Sequence, residues 1–319
     1  MISDSKILVT TDPTFLDEHE EAWRTLLGEA HSVYVDPVWY RVWWAAFGKE
    51  KVPQLLYVPG SFYLPMMLEK GTLSMMGNVY SHRHHPAYVE TMDGWVESLV
   101  QHWESCNEWD SVSLKHVCED SAWGQSLRKV LTNRPGWTES FGEAEIWAVP
   151  DGSWSDHLHA QGRESRKKRR KVRRRLEEHN VRVQVYTTEE DAKAFARIYF
   201  RLMVRSWKKP DSSRDFFRKL CRTTAEQGWF RSYVLFMDEE PTAFQLGFLN
   251  NGVFSCYKTA YDPKFAGLSP GIAVMDFAFE DAFQQGAHSI DLLTGSGAYK
   301  SLWCNRRVQQ LEFRFERGH

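Results

Sequence analysis

The segment that most constrains the fold lies near the end of the chain, where strand, turn and helix patterns follow one another directly. A turn over residues 268–271 precedes a helix over residues 271–285 whose apolar side chains recur at helical spacing. A short strand over residues 289–293 follows, and a second Gly-containing turn leads to a helix start with Tyr299 and Lys300. This order predicts an α/β domain in the second half of the chain.

Length and composition indicate a globular protein with two domains. The chain has 319 residues, and a turn-rich segment predicts a boundary between a domain at residues 1–150 and one at residues 155–319. The net charge is −2, so any attraction to polyanions must be local. The 14 tryptophans form a core rich in large rings or, in the alternative, partly line a groove for a sugar or an acyl chain.

Several features of the sequence predict a cytoplasmic location. The five cysteines include no Cys-x-x-Cys pair, which argues against a disulfide framework or a structural zinc site and fits a reducing compartment. Residues 1–6 lack the pattern of a secretory signal peptide. Apolar runs are shorter than a membrane-spanning helix needs, so no span is expected.

The first half also has a mixed α/β pattern. Asp36 and Pro37 predict the start of an aromatic-rich helix, because Asp accepts hydrogen bonds from free N–H groups and Pro lacks the N–H that would remain unpaired. Gly48 suits the end of that helix. Short strand and helix patterns then alternate up to residue 149.

The order strand, Gly/Ser/Pro turn, helix, strand, Gly turn and Tyr299-Lys300 resembles the catalytic half of the GNAT-superfamily acyltransferases. The similarity is to the branch that includes the cellulose-biosynthesis-associated acetyltransferases and the Fem-type aminoacyl-tRNA transferases, and the first half also resembles that branch. The resemblance implies an α/β fold of two GNAT-like mixed-sheet halves in tandem that form a central cleft.

The resemblance also implies a cofactor site at Ser269, Pro270 and Gly271. Pro and Gly at a helix start leave free N–H groups at the positive end of the helix dipole, which suits an anion. In the family a Gly-rich turn at this place binds the pyrophosphate of coenzyme A. The common Gln/Arg-x-x-Gly-x-Gly/Ala form is absent here, and the alternative interpretation is an ordinary helix N-terminus.

Four residues are candidates for catalysis in the implied site. Tyr299 is a candidate acid or orienting donor, and Lys300 is a candidate phosphate contact or oxyanion partner. Asp262 is a candidate base, with turn capping as the alternative, since Asp before Pro favours a turn. Tyr257 lies on the preceding strand, residues 253–261, which in the family offers a backbone N–H to the acyl carbonyl.

The sharpest anomaly in composition runs from Arg163 to Arg175, where ten of thirteen residues are Lys or Arg. The run lacks Gly and Pro, which predicts a helix that opens the second domain and ends by Asn180. Like charges on one helix repel, so an anionic partner is favoured over a solvated face. The candidates are the 3′-phosphate of coenzyme A, with Arg166 and Arg170 as contacts, a tRNA, an anionic membrane surface or a phosphorylated sugar carrier.

Other chemistry finds less support in the sequence. The cluster of histidines at His82, His84 and His85 lacks the spacing of a metal site, so no metal is expected, and a histidine base contributed by this loop is the alternative. No Walker or dinucleotide fingerprint occurs.

The resulting expectation is an acyltransferase. The resemblance implies transfer of an acyl group from acyl-coenzyme A to an amine or hydroxyl of a small-molecule, sugar or peptide acceptor. An aminoacyl-tRNA donor is the alternative on the same fold. A non-catalytic module that binds nucleic acid or membrane through the basic run is the alternative from a different class.

Overall fold

The computed structural model describes residues 7–28, 31–89, 92–150, 152–208, 213–295 and 297–317. Of the positions discussed above, residues 1–6, Asp151 in the boundary segment and Ser296 in the second Gly turn lie outside these ranges. Within them, no helix combines the length and the apolarity required to cross a bilayer.

The chain divides into two compact units. The first comprises Met1–Glu145 and Val308–His319, and the second comprises Ile146–Arg307. Each unit contains a mixed β-sheet with helices packed against it. The α/β class with two mixed sheets is therefore confirmed.

The first unit is built around a sheet whose strands, numbered along the chain, have the order β1-β2-β3-β4-β6-β15-β7, with β5 paired to β3. The strands are β1 Leu8–Thr10, β2 Val52–Val58, β3 Phe62–Glu69, β4 Thr72–Met75, β5 Ala87–Tyr88, β6 Ser111–Cys118, β7 Trp137–Phe141 and β15 Gln310–Glu316. The helices are α1 Phe15–Glu18, α2 Glu20–Leu27, α3 Pro37–Phe47, α4 Met92–Ser105 and α5 Ala122–Leu131.

The last strand returns to the first unit. β15 lies between β6 and β7 and is antiparallel to both. Its residues Leu311 and Phe313 are buried in the core of the first unit. The predicted domain at residues 155–319 thus differs from the structure at its end, because local patterns show that a strand forms and not which distant strand it pairs with.

Asp36 fixes the start of α3, as its position before Pro37 predicts. Its Oδ1 accepts a hydrogen bond from the backbone N–H of Val38 at 2.8 Å. The buried carboxylate also pairs with Arg24 at 2.9 Å and with His31 at 3.1 Å. Burial favours the neutral acid, but the hydrogen bonds from His31 and Arg24 outweigh it and lower the pKa of Asp36.

This cluster makes the stability of the first unit depend on pH. Burial opposes protonation of His31, but its hydrogen bonds to Asp36 and to the Gly28 carbonyl outweigh burial, so the pKa of His31 rises above its ordinary 6.5. A raised pKa adds stability that is complete below the ordinary value and is lost as pH rises through the folded-state value. We expect the melting temperature of the protein, relative to a His31→Gln variant, to be higher at about pH 6 than at about pH 8.5. If the melting temperatures of the two proteins differ by the same amount at both pH values, His31 does not contribute in this way.

The second unit contains the candidate site. Its sheet has the order β14-β8-β13-β12-β11-β10-β9. The strands are β8 Glu145–Ala148, β9 Val181–Tyr186, β10 Ser232–Met237, β11 Glu240–Asn250, β12 Val253–Tyr261, β13 Ser289–Thr294 and β14 Arg306–Val308. The helices are α6 Trp154–Ala160, α7 Arg163–Leu176, α8 Glu189–Arg205, α9 Arg214–Glu226 and α10 Pro270–Gln284, with 3-10 helices at Pro263–Leu268 and Ala298–Leu302.

The basic run forms α7, so the helix predicted there is confirmed. α10 packs against strands β10, β11 and β12, and α7 packs against α10. The contact with α10 depends on Val172, which is a buried apolar residue of the basic helix. The charged residues of α7 are therefore presented around a helix that is anchored to the core.

Candidate functional site

Strands β12 and β13 are parallel but pair over only a short stretch. The register joins residues 253–255 to residues 289–291. β12 continues to Tyr261 and β13 to Thr294, and along these described residues the pairing between the two strands does not continue. The strands therefore separate at their carboxyl ends, the edge at which open α/β sheets bind ligands.

An irregularity in β12 accompanies this separation. Its register with β11 shifts, so that Leu246 faces Lys258 whereas Phe248 faces Ser255. The register therefore steps over two residues of β12, Cys256 and Tyr257, and over one residue of β11, Gly247. A bulge of this kind bends a strand and takes backbone groups out of the regular ladder.

The turn after β12 prepares the start of α10. Ser269 adopts the left-handed conformation, with φ 57° and ψ 48°, and Pro270 is the first helical residue. The Ser269 side chain accepts no capping hydrogen bond. Among the described residues, the N–H of Gly271 has no acceptor either. A backbone donor is thus available at the positive end of a helix of 15 residues.

Ser269, Gly271 and Tyr299 lie together in a cavity of about 260 Å³. We call this the turn cavity, and its remaining lining residues are Trp207, Lys208, Thr259, Tyr261, Ala266, Ile272 and Met275. Pro270 is buried. A Cβ on Gly271 would come within 3.0 Å of the Tyr261 ring, so glycine at this position keeps the helix start open to the cavity.

The hydroxyl group of Tyr299 carries its proton and can act as a donor. Burial raises the pKa of its hydroxyl, and the neighbouring Cys256 raises it further. The phenol is therefore protonated at neutral pH and can donate a hydrogen bond or a proton. Gly297 allows this ring position, because a Cβ there would lie 2.7 Å from the Tyr299 ring.

Lys300 does not lie where a residue in contact with phosphate was predicted. Its side chain is buried, and its Nζ donates hydrogen bonds to the carbonyl of Thr294 at 2.5 Å and to that of Leu293 at 3.4 Å. These are the last residues of β13, where Leu293 has a φ of 60°. The ammonium group therefore holds the strand end, because the one-turn 3-10 helix directs Lys300 inward while Tyr299 lines the cavity.

The other two candidates for catalysis lie outside the turn cavity. Asp262 Oδ1 accepts a hydrogen bond from the N–H of Lys264 at 3.0 Å, and Oδ2 lies 3.5 Å from Arg205. These contacts agree with the alternative interpretation, in which Asp262 caps the turn and is not a free base. Tyr257 is buried and its ring packs 5.3 Å from the ring of Phe248, so it serves the apolar interior.

Arg166 and Arg170 line a second cavity of about 990 Å³, formed by α6, α7 and the end of α10. We call it the arginine cavity. Its residues on α10 run from Glu280 to Gln284. At about 1.5 Å per helical residue they lie roughly 14–20 Å from Gly271 along the axis. The structure thus brings Ser269 and Gly271 together with Tyr299, and it places the two predicted arginines elsewhere.

A buried carboxylate anchors α7 to α10. Asp276 Oδ1 accepts hydrogen bonds from Arg169 Nε at 2.9 Å and from Trp303 Nε1 at 3.1 Å. Its Oδ2 lies 3.4 Å from Arg173 Nε. The sequence predicts the basic helix, and only the packing of the helices shows that its Arg169 shares this partner with Trp303.

The histidine segment at residues 82–85 forms part of the interior of the first unit. Arg83 and His84 are buried, and Arg83 pairs with Glu145 at 2.8 Å. Gln310 donates a hydrogen bond to the other oxygen of Glu145 at 3.0 Å. Burial places the pKa of His84 well below its ordinary value. Within the described residues, no three His, Cys, Asp or Glu side chains converge as a metal site would require.

Sequence reasoning missed three residues of the turn cavity, Trp207, Lys208 and Thr259. Trp207 is 57% exposed, and its ring centroid lies 4.4 Å from that of Tyr261. Most other tryptophans described are buried, as a core rich in large rings requires. The alternative of a tryptophan at a groove therefore applies to Trp207, whose only signal in the sequence is its position next to a lysine pair.

Comparison with known proteins agrees with this geometry. Residues 163–301 match the family model for the acetyltransferase (GNAT) domain, a stretch that includes α7, the turn cavity and Tyr299. No curated protein matches the chain.

Solved structures with low sequence identity share the fold over the whole chain. A conserved protein of unknown function from Bacteroides thetaiotaomicron is 12% identical, with a TM-score of 0.65 over 97% of this chain and 100% of that one. FemX is 13% identical, with a TM-score of 0.58 over 95% and 96%. A tandem GNAT protein from the clavulanic acid biosynthesis pathway is 10% identical, with a TM-score of 0.52 over 98% and 98%.

The match of the domain and the likeness of the whole fold agree with each other, and they confirm the resemblance at the level of the superfamily. The chain therefore has the fold of tandem GNAT proteins, and residues 163–301 of its second unit match the model of the GNAT acetyltransferase domain.

Proposed function

We propose that the second unit transfers an acyl group from acyl-coenzyme A to an amine or hydroxyl group of an acceptor. The observation that carries the proposal is the N–H of Gly271, which has no acceptor among the described residues and lies beside Tyr299 in the turn cavity. Helix N-termini bind phosphate groups through such donors. The GNAT acetyltransferase domain at residues 163–301 supports the same reaction.

The residues present fit coenzyme A at the turn. Ser269 leaves the first N–H groups of α10 without a side-chain cap, and Gly271 presents no side chain to an approaching phosphate. Lys208 adds a positive charge to the cavity wall. Bound acyl-coenzyme A supplies an activated thioester carbonyl, and we assign its pyrophosphate to Ser269, Pro270 and Gly271.

Groups of the protein then orient the acyl thioester and donate a proton to its leaving sulfur. The protonated Tyr299 hydroxyl is the proposed donor to the sulfur that leaves. The bulge at Cys256 is the proposed source of the backbone N–H that polarises the acyl carbonyl. Burial raises the pKa of Cys256 to about 12, so its thiol is protonated at neutral pH. We therefore propose direct attack by the acceptor rather than an acyl-cysteine.

The acceptor and the setting are further parts of the proposal. Trp207 and Tyr261 give the turn cavity an aromatic wall, which suits a sugar ring or the side chain of a peptide-like acceptor. The five cysteines are free, which suits a cytoplasmic protein. Membership of the branch with the cellulose-biosynthesis-associated acetyltransferases stays a prediction from the sequence.

Coenzyme A binding at Gly271 is the direct test. We expect acetyl-coenzyme A to raise the melting temperature of the protein, since a ligand at about 100 times its Kd stabilises by about 2.7 kcal/mol. A Gly271→Glu variant should bind at least about tenfold more weakly, because its carboxylate meets the phosphates at the helix start. Gly271→Gln adds nearly the same bulk without charge and is the matched control.

The outcomes separate the assignments. No stabilisation of the unaltered protein by any acyl-coenzyme A would overturn the proposed donor. Equal binding by Gly271→Glu and the unaltered protein would move the pyrophosphate away from the turn. If binding is seen, release of free coenzyme A thiol in the presence of amine and hydroxyl acceptors reports the transfer itself.

A second candidate function uses an aminoacyl-tRNA donor on the same fold. The observation in its favour is an exposed basic surface on α7 that includes Lys167, Lys168, Lys171 and Arg174. Stabilisation by tRNA that weakens steeply with salt, without a response to coenzyme A, would favour this candidate. The same salt dependence with anionic vesicles, and no acyl transfer, would favour a non-catalytic module.

A further inference from the structure

Five of the seven arginines of α7 line the arginine cavity, whereas its three lysines lie outside it. The α7 residues that line the arginine cavity are all arginines, namely Arg163, Arg166, Arg169, Arg170 and Arg173. The three lysines of the helix are exposed and outside that lining, namely Lys167, Lys168 and Lys171. Guanidinium groups bind phosphate in a bidentate way, whereas lysine ammonium groups are strongly hydrated. The segregation indicates a specific oxyanion ligand on the arginine face.

Some arginines on this face of α7 have hydrogen-bond donors without a partner among the described residues. Within the part of the chain that the structure describes, Arg163 and Arg170 make no ion pair or side-chain hydrogen bond. Arg169 is more than nine-tenths buried, and its Nη1 has no hydrogen-bond partner although its Nε binds Asp276. Arg169 Nη1 is closed to solvent, so the exposed guanidinium groups of Arg163 and Arg170 are the donors that a ligand oxygen can reach.

The balance of charge points the same way. Among the described residues that line the cavity, Glu280 is the carboxylate, and Asp276 below it pairs with Arg169 and Arg173, so five guanidinium groups meet two carboxylates. Arginines spaced three and four residues apart on one helix repel one another. An anion in the cavity removes this repulsion, and a ligand with several negative charges removes more of it than a single carboxylate does.

The shape of the arginine cavity favours a small ligand over a flat macromolecular surface. Its volume of about 990 Å³ compares with roughly 300–1,000 Å³ for small-molecule sites. Trp154 and Phe283 stack with their ring centroids 4.8 Å apart and form an apolar floor. An apolar floor lowers the screening by water, which strengthens the attraction of each guanidinium for phosphate.

We propose that the arginine cavity binds a small ligand with two or more phosphate groups, at a site separate from the turn cavity. The separation follows from the roughly 14–20 Å of α10 between Gly271 and the residues that close the arginine cavity. The proposed site does not depend on acyl transfer. It gives the domain a second anion site on a helix that precedes its first strand.

Titration with inorganic pyrophosphate tests the proposal. We expect saturable binding with one ligand per chain, weakened at least about tenfold in an Arg163→Gln/Arg170→Gln variant. Lys167→Gln/Lys171→Gln removes the same charge from the same helix and should change the Kd less than about twofold. These four side chains are exposed and glutamine keeps helix propensity, so both variants should fold, which circular dichroism verifies.

Each alternative outcome overturns the site. Equal weakening in the two double variants would show attraction to net charge alone. Binding that is lost in Gly271→Glu and kept in Arg163→Gln/Arg170→Gln would place the pyrophosphate in the turn cavity. No saturable pyrophosphate binding, together with binding of RNA or anionic vesicles that depends on the lysines, would make the helix a macromolecular contact. Because coenzyme A binding is measured separately on Gly271→Glu, failure here leaves the proposed acyl donor untouched.

Discussion

An Asp276→Asn variant is expected to lose about 3 kcal/mol of the free energy of unfolding of the second unit. Asp276 is 6% exposed and accepts from Arg169 and Trp303 through one oxygen while its other oxygen faces Arg173. Removal of the negative charge leaves the Arg169 guanidinium buried without a counter-charge. Breaking one side of a buried ion pair costs more than the pair itself contributes, since the remaining charge cannot return to water.

Thermal unfolding measures the effect. For a unit of this size, about 3 kcal/mol corresponds to a fall of roughly 6–12 °C in melting temperature. Glu280→Gln is the matched control, because Glu280 lies one turn further along α10 and pairs with the same Arg173. Its side chain is 49% exposed, so we expect a loss below about 1 kcal/mol. Similar losses in the two variants would show that the buried network contributes no more than a surface pair.

A Lys300→Met variant is expected to lose about 2–3 kcal/mol of stability rather than only activity. Methionine fills a similar volume, but it leaves the carbonyls of Leu293 and Thr294 without the ammonium donor that now binds them. Both carbonyls lie at the end of β13, next to the turn that leads to Tyr299. We therefore expect a lower melting temperature together with weaker coenzyme A binding.

Lysine at another position provides the control. Lys264 is 69% exposed and pairs loosely with Glu240 at 3.4 Å, so Lys264→Met should cost less than about 1 kcal/mol. If Lys300→Met keeps its melting temperature and loses transfer activity alone, Lys300 acts on the substrate, as the sequence suggested. Loss of stability first, with activity recovered at low temperature, would fit the structural role.

The helices, strands and turns of the second unit were predictable where residues close in sequence determine them. The Asn-Gly turn between β11 and β12, Pro270 at the start of α10 and the absence of Gly and Pro from α7 each act within a few residues. The turn cavity followed in part, because a helix start after a strand brings Ser269 and Gly271 to the sheet edge. Tyr299 joined them through the second strand and turn of the same pattern.

The remaining features depend on tertiary contacts. Lys300 is adjacent to Tyr299 in sequence, but a single 3-10 turn directs one side chain inward and the other to the cavity. Arg166 and Arg170 lie on the basic helix that was predicted to contact the 3′-phosphate of coenzyme A. The packing of α7 along α10 nevertheless places them far from Gly271. Sequence spacing fixes the face of a helix and does not fix which neighbour that face meets.

The position of β15 has a consequence for synthesis of the chain. Proteins emerge from the ribosome N-terminus first, and N-terminal domains generally fold first. Here the strand between β6 and β7 comes from the last residues of the chain, so the first unit cannot complete its sheet until the second unit has been translated. We infer that the second unit becomes native earlier, while β6 and β7 wait with unpaired edges. Until then, those unpaired edges are exposed to pairing with other chains.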